Sequence, residues 1–222
     1  MFLVPYLVLD GDVTKNDDEL RTILEKFNNK ECNVLIGTQT VCKGHDFNDV
    51  SLVCVLNADS LFNYPSYKSS FNAFSLIEQL IGRAGRRKNN SLALIQTSQL
   101  DNKIINYAIN NDYLGFYEYE IANRKTFKYP PFYNLLTIKL SSKNSIKLKD
   151  VANKLANVIK EFNSSIIVLG PSLIKKEINK FVVDLTLKSK KKSDLIEISK
   201  ILMSSLVSNN SINISFIFSK LD

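Results

Sequence analysis

Two short segments of this chain hold most of its chemically suggestive side chains. Gly37, Thr38 and Gln39 directly follow the apolar run Val34 to Ile36, and the block Lys43-Gly44-His45-Asp46-Phe47 comes a few residues later. A glycine at a strand's end lets backbone N–H groups approach a phosphate, while a hydroxyl and a lysine offer the same anion a donor and a charge. The second segment is Gln79-Leu80-Ile81-Gly82-Arg83-Ala84-Gly85-Arg86. Arg83 and Arg86 stand three apart, on one face of a helix, where together they could grip one polyphosphate. Gly82 and Gly85 each cost about 1 kcal/mol relative to alanine inside a helix, which argues against an ordinary solvated helix. The chain has only five arginines, and Arg83, Arg86 and Arg87 are three of them. Lysine is the default cation, so arginine at these places points to planar, bidentate recognition of carboxylate or phosphate.

Stepping outward from these segments, the pattern predicts the elements that carry them. Tyr6 to Leu9 reads as a short strand, and Leu20, Ile23, Leu24 and Phe27 recur at helical spacing behind the acidic turn Asp17 to Glu19. Val34 to Ile36 and Leu52 to Leu56 are short apolar runs, read as buried strands of a parallel sheet. Phe71 to Arg86 reads as a helix with Phe74, Ile77 and Ile81 on one side, and Leu92 to Ile95 as the next strand. Such alternation implies an α/β domain that binds ligands beyond the C-terminal ends of its strands. A helical connector from Asp101 to about Lys128 follows, stopped by Pro130 and Pro131.

Beyond the prolines the pattern restarts. Leu135 to Leu140, Ile166 to Leu169, Phe181 to Leu187 and Ile212 to Phe218 read as strands; Leu148 to Phe162 and Leu195 to Leu206 read as helices between them. The order β-α-β-β-α-β is that of a ferredoxin-like split βαβ, α+β domain. The expected partition is therefore 1–99, a connector over 100–131, and 132–222.

Charge follows that partition. Residues 1 to 125 carry 13 basic and 15 acidic side chains, whereas 126 to 222 carry 16 lysines, no arginine and 7 acids. The overall +7 belongs to the second half, which suggests a polyanion-facing module. Lys188, Lys190, Lys191 and Lys192 form a run that reads either as a solvated turn or as a contact to a phosphate backbone or an acidic tail. Tyr113, Phe116, Tyr117 and Tyr119 read as helix packing in preference to a base-stacking platform. Cys32, Cys42 and Cys54 form no C-x-x-C pair, and His45 is the one histidine. These observations fit a reducing cytoplasm, buried free thiols and no metal site. No apolar run reaches the 18 residues of a membrane span.

The segments 34–39 and 43–47, Asn57-Ala58-Asp59, Gln79 to Arg86, Gln96-Thr97, Phe116-Tyr117 with Glu120 and Arg124, Tyr129-Pro130-Pro131-Phe132 and Leu169-Gly170-Pro171 occur in a recognisable order and spacing. In these the chain resembles superfamily 2 helicases, and within them the PriA family of primosomal replication-restart helicases. The resemblance implies the back of a RecA-like second helicase lobe followed by the family's C-terminal domain. It implies an ATP-dependent 3′ to 5′ DNA helicase that acts at abandoned forks and helps reload the replicative helicase.

By the same resemblance Arg86 is the arginine finger, with Arg83 beside it. Gly44, Asp46 and Gln79 lie on the nucleotide side, and Thr38, Gln39 and Lys43 on the DNA side. Implied partners are forked or single-stranded DNA, single-stranded-DNA-binding protein, primosome proteins and an N-terminal helicase portion. ATP and Mg2+ serve the full family protein. No glycine here is followed by lysine, so the phosphate cradle G-x-x-x-x-G-K-[ST] is missing. The one Asp-Glu pair, Asp18-Glu19, opens a helix instead of ending a strand, so no Mg2+ motif is present, nor are the family's zinc cysteines. The 66–72 segment departs from the family pattern. Alternatives are a non-catalytic binding module, or a decayed remnant.

Overall fold

A computed structural model of the chain describes residues 4–10, 17–38, 41, 47, 50–85, 91–206 and 211–219. The chain divides into two compact units, residues 1–120 and 121–222.

In the first unit, β1 (Tyr6–Leu9) and β2 (Val34–Gly37) pair in parallel, Tyr6 opposite Val34 and Leu9 opposite Gly37, with α1 (Asp17–Asn28) between them in sequence. A second parallel pair joins β3 (Leu52–Val55) to β4 (Leu92–Ile95), linked through a 3-10 turn at Ala58–Phe62 and α2 (Ser69–Gly85). Each crossover is strand, helix, parallel strand, as the alternation predicts. Helix α1 packs on β1; α2 packs on β3, β4 and α3 (Lys103–Ile109).

The strands are not buried on both faces. Ile36 is 49% exposed and Leu92 56%, and exposed and half-buried residues alternate along β3 and β4. Among the described residues each pair is packed by helix on one side, so a run that is apolar throughout still shows one face to water.

The expected helical stretch from Asp101 to about Lys128 consists of two helices, α3 and α4 (Tyr113–Thr126). Asn102 opens α3 by accepting from the N–H groups of Ile104 and Ile105. Asn111 adopts a left-handed φ of 52°, and Asp112 then accepts from the Gly115 N–H at 2.9 Å to start α4. A Cβ on Gly115 would meet the Asp112 carboxylate and, at 2.8 Å, the Tyr107 ring, so the corner needs glycine. Ile104, Ile105, Ala108 and Phe116 share one core with Ala58, Phe74 and Ile77, and Phe116 stacks on Phe74 at 4.1 Å. The stretch 100–120 therefore belongs to the first unit instead of forming a separate connector.

The second unit follows the split βαβ plan with one addition. In order come β5 (Asn134–Ser142), α5 (Ser145–Phe162), β6 (Ile167–Leu169), β7 (Lys175–Glu177), β8 (Lys180–Ser189), α6 (Lys192–Leu206) and β9 (Asn213–Phe218). The antiparallel sheet has the order β6-β8-β5-β9, and the short β7 pairs with the start of β8. Leu136, Ile138 and Leu140 of β5 and Val183, Leu185 and Leu187 of β8 point into a core with Leu148, Leu155 and Ile159 of α5 and Leu195 and Ile198 of α6. The alternate positions, Thr137, Lys139, Asp184 and Thr186, lie on the other face of the sheet.

Candidate nucleotide and nucleic-acid site

Helix α2 is amphipathic in a way that sorts its chemistry. Ala73, Phe74, Ile77 and Ala84 are buried, whereas Gln79 and Gly82 are exposed and Arg83 is half-buried. Positions 79, 82 and 83 repeat at helical spacing, so they share the face turned away from the core. Among the described residues an added Cβ at Gly82 would find nothing within 4 Å, so none of them demands a glycine there, and the helix backbone is exposed beside Arg83. Arg83 places its guanidinium 5.8 Å from the ring centre of Phe47, and Phe47 meets Phe27 of α1 edge to face at 5.3 Å. The last residue of the 43–47 block thus touches both α1 and α2, the second of which carries Gln79 and Arg83.

At the end of β2, an added Cβ on Gly37 would collide with the Leu9 carbonyl oxygen and the Val41 side chain, so only glycine allows this close approach. The Thr38 carbonyl then accepts from the Val41 N–H at 3.1 Å, turning the chain immediately past the strand. Gln39, Lys43, Gly44, Asp46, Arg86 and Arg87, with His45 and Cys42, lie outside the described residues. Of the expected site residues in the first unit, the structure therefore places Thr38, Gln79 and Arg83.

A polar latch at the C-terminal ends of β3 and β4 was legible only as sequence fragments. Asp59 Oδ1 accepts from the Thr97 hydroxyl at 2.5 Å, and Oδ2 accepts from the Ser98 N–H at 2.9 Å and its hydroxyl at 2.6 Å. The Ser98 hydroxyl, then Thr97 and the Ser98 amide, hold the Asp59 carboxyl below the usual aspartate range. Gln96 accepts from the Asn57 N–H through its side chain and from Ala58 through its backbone. The pairs 57–59 and 96–97 are one bonded unit, and sequence spacing alone cannot join residues 38 apart.

In the second unit the lysine run divides. Lys190, Lys191 and Lys192 are exposed, the last at the start of α6. Lys188 is not in a solvated turn: it is the penultimate residue of β8 and only 4% exposed. Its ammonium donates to the Phe127 carbonyl at 2.8 Å and sits 3.5 Å over the Tyr129 ring. Burial, then the nearby Lys128, pushes its pKa down. The expected surface role fails here because the 127–129 backbone folds over this end of the sheet. Lys128 and Lys190 each lie 6.0 Å from the Tyr133 ring centre.

Two smaller expectations also change or sharpen. Against the expectation of buried thiols, Cys54 is exposed and Cys32 half-buried, and both are free; among the described residues the strand of Cys54 is packed by helix on one side only. Phe116 and Tyr119 pack against Phe74 and Tyr107, consistent with helix packing. Among the described residues no group of His, Cys, Asp and Glu could hold a metal ion, and no helix is long and apolar enough to cross a membrane.

Residues 3–88 match the helicase conserved C-terminal domain. The chain is similar to replication restart protein PriA of Borreliella burgdorferi, 38% identical over 78% of this chain and 26% of that protein. It is also similar to PriA of Bacillus subtilis, 34% identical over 74% of this chain and 20% of the relative. For PriA of Thermotoga maritima the values are 35%, 73% and 22%. The chain thus spans about a quarter or less of the length of these relatives. With a helicase C-terminal domain at its front and this similarity running on past that domain, the chain matches the C-terminal part of the PriA replication restart proteins.

Proposed function

We propose that the chain supplies the distal part of a PriA-type, ATP-dependent 3′ to 5′ DNA helicase that acts in the cytoplasm at stalled forks and in primosome assembly. The observation that carries this reading is the outward face of α2, where Gln79, the bare backbone at Gly82 and Arg83 lie in a row opposite the buried face. Arg86, three positions after Arg83 in the sequence, takes the role of arginine finger, stabilising charge on a transferring phosphoryl group. Arg83 supports it. Gln79, Gly44 and Asp46 serve the nucleotide side, and Thr38, Gln39 and Lys43 the DNA backbone.

These residues fit one wall of an ATP site only. The Gly-Lys-Thr cradle and the Mg2+ carboxylates must come from polypeptide outside this sequence. When bound there, ATP supplies the driving reaction; the residues of this chain bind and orient its terminal phosphate.

The basic second unit supports a narrower reading, in which this part holds forked DNA or the acidic tail of single-stranded-DNA-binding protein without catalysis. Reconstitution separates the two. Mixed with a polypeptide carrying the cradle, the chain should restore DNA-stimulated ATPase activity. Arg86→Ala should then lower kcat by roughly 10³ or more while DNA affinity stays within a few fold. Equal loss of DNA binding would make Arg86 a DNA contact, and no restored turnover would leave the binding module.

A further inference from the structure

The β7–β8 hairpin breaks two local rules at one point. Glu177 and Lys180 are paired across it, so Ile178 and Asn179 are its two-residue turn. Asn179 takes the left-handed conformation, φ 62°, that asparagine tolerates. Ile178 has no such justification: a β-branched apolar side chain is disfavoured in a tight turn, and this one is 92% exposed. Leu173, on the segment leading into β7, is 89% exposed. Looseness does not explain Leu173, because its neighbour Ser172 donates its N–H to the Asp184 carbonyl and accepts from the Asp184 N–H through its hydroxyl.

The charges around the tip are one-sided. Glu177 is its one acid, bonded by Lys139 at 2.9 Å and Lys180 at 3.3 Å, while Lys175 and Lys176 are exposed. Lysines along an outer strand also guard it against pairing with another chain, so alone they would carry little. An exposed isoleucine and leucine beside them undo that protection, which calls for a partner that is anionic and also offers apolar faces. A DNA branch point does: its phosphates flank bases whose stacking is interrupted, and apolar side chains that enter such steps are a known mode of nucleic-acid contact.

We propose that the β7–β8 turn is an apolar wedge, Ile178 packing against the end base pair at a DNA branch while Lys175 and Lys176 hold the flanking phosphates. This rests on the reading of the chain as part of a fork-acting protein.

The test uses the full chain and a forked duplex carrying 2-aminopurine next to the branch. Binding should raise the probe's fluorescence. Ile178→Ser should abolish the rise and weaken fork binding roughly five- to tenfold, the worth of partly burying one aliphatic side chain. Ile178→Leu should keep the rise. Because the side chain is exposed, the Ser variant should keep the wild-type circular dichroism spectrum. Replacing Lys175 and Lys176 with Gln should flatten the salt dependence by about 0.7 to 0.9 per contact and leave the rise intact at saturation.

Fork binding without any rise, or an equal rise with Ile178→Ser, overturns the wedge and leaves the DNA-binding reading in place. No binding to any DNA overturns both. Ile178-dependent binding to phosphatidylglycerol vesicles without a rise at the branch would overturn the wedge in favour of a lipid surface.

Discussion

Alanine and methionine at position 188 together separate what the buried lysine does from what its exposed neighbours do. Both variants remove the ammonium, and with it the bond to the Phe127 carbonyl and the contact with the Tyr129 ring. Losing that bond and ring contact costs stability, while relief of the ammonium's desolvation returns it, so Lys188→Met should fall within about 1 kcal/mol of wild type. Alanine also removes three methylenes of a stem that is almost wholly buried, at about 0.8 kcal/mol each. Lys188→Ala should therefore be roughly 2–3 kcal/mol less stable than Lys188→Met. Lys190→Ala, fully on the surface, should stay within about 0.5 kcal/mol of wild type. Chemical denaturation with midpoint and slope both fitted provides the assay.

The pH dependence has a fixed sign. The folded state lowers the Lys188 pKa, so below the ordinary value of 10.5 the unfolded chain binds the proton more tightly. Wild-type stability relative to Lys188→Met should thus rise as pH climbs toward 10.5. Equal stability of the Ala and Met variants, or a relative stability that falls with pH, would refute the buried placement.

Replacing Lys190, Lys191 and Lys192 with Gln should reduce the salt slope of single-strand binding by up to about 2, measured by fluorescence anisotropy, whereas Lys188→Gln should leave it unchanged. The chain alone should show no DNA-stimulated ATPase, and turnover abolished by Arg86→Ala would contradict that. Gly82→Ala should stabilise α2 by up to about 1 kcal/mol, while Gly115→Ala should cost roughly 1–3 kcal/mol because of the Tyr107 and Asp112 contacts. Asp59→Asn should lower Tm at pH 7; because the folded state depresses this pKa, the difference should shrink as pH falls below 3.8.

What could be read from sequence was what periodicity carries. Leu136, Ile138 and Leu140 alternate, and Leu148, Leu155 and Ile159 recur at helical spacing, so the split βαβ plan was legible. Strand β7 was not, because Lys175-Lys176-Glu177 has no apolar residue to alternate. The break before α4 carries a sequence signal, Asn110-Asn111-Asp112, a left-handed residue followed by a cap. Exposure in the first unit is not legible from sequence, because an apolar run shows what a strand can bury while the covering layer is a tertiary matter. Lys188 follows the same logic: period two puts it opposite Leu187, off the core face, and only the fold of 127–129 reveals that this spot is roofed. For the candidate site, the row Gln79, Gly82, Arg83 could be read from spacing alone, but the Phe47 bridge between α1 and α2 could not.

The Asp59 latch has a consequence for alignment. Strands β3 and β4 match over only four residues, Leu52 opposite Leu92 through Val55 opposite Ile95, and parallel strands with leucine, valine and isoleucine at nearly every place offer little to distinguish one offset from the next. A slip of one residue would carry the Thr97 hydroxyl and the Ser98 amide and hydroxyl out of step with the two carboxylate oxygens that now receive them. The carboxylate therefore works as a vernier, converting a short and sequence-tolerant ladder into a single permitted offset. It fixes where α2 enters from β3 relative to where the chain leaves β4.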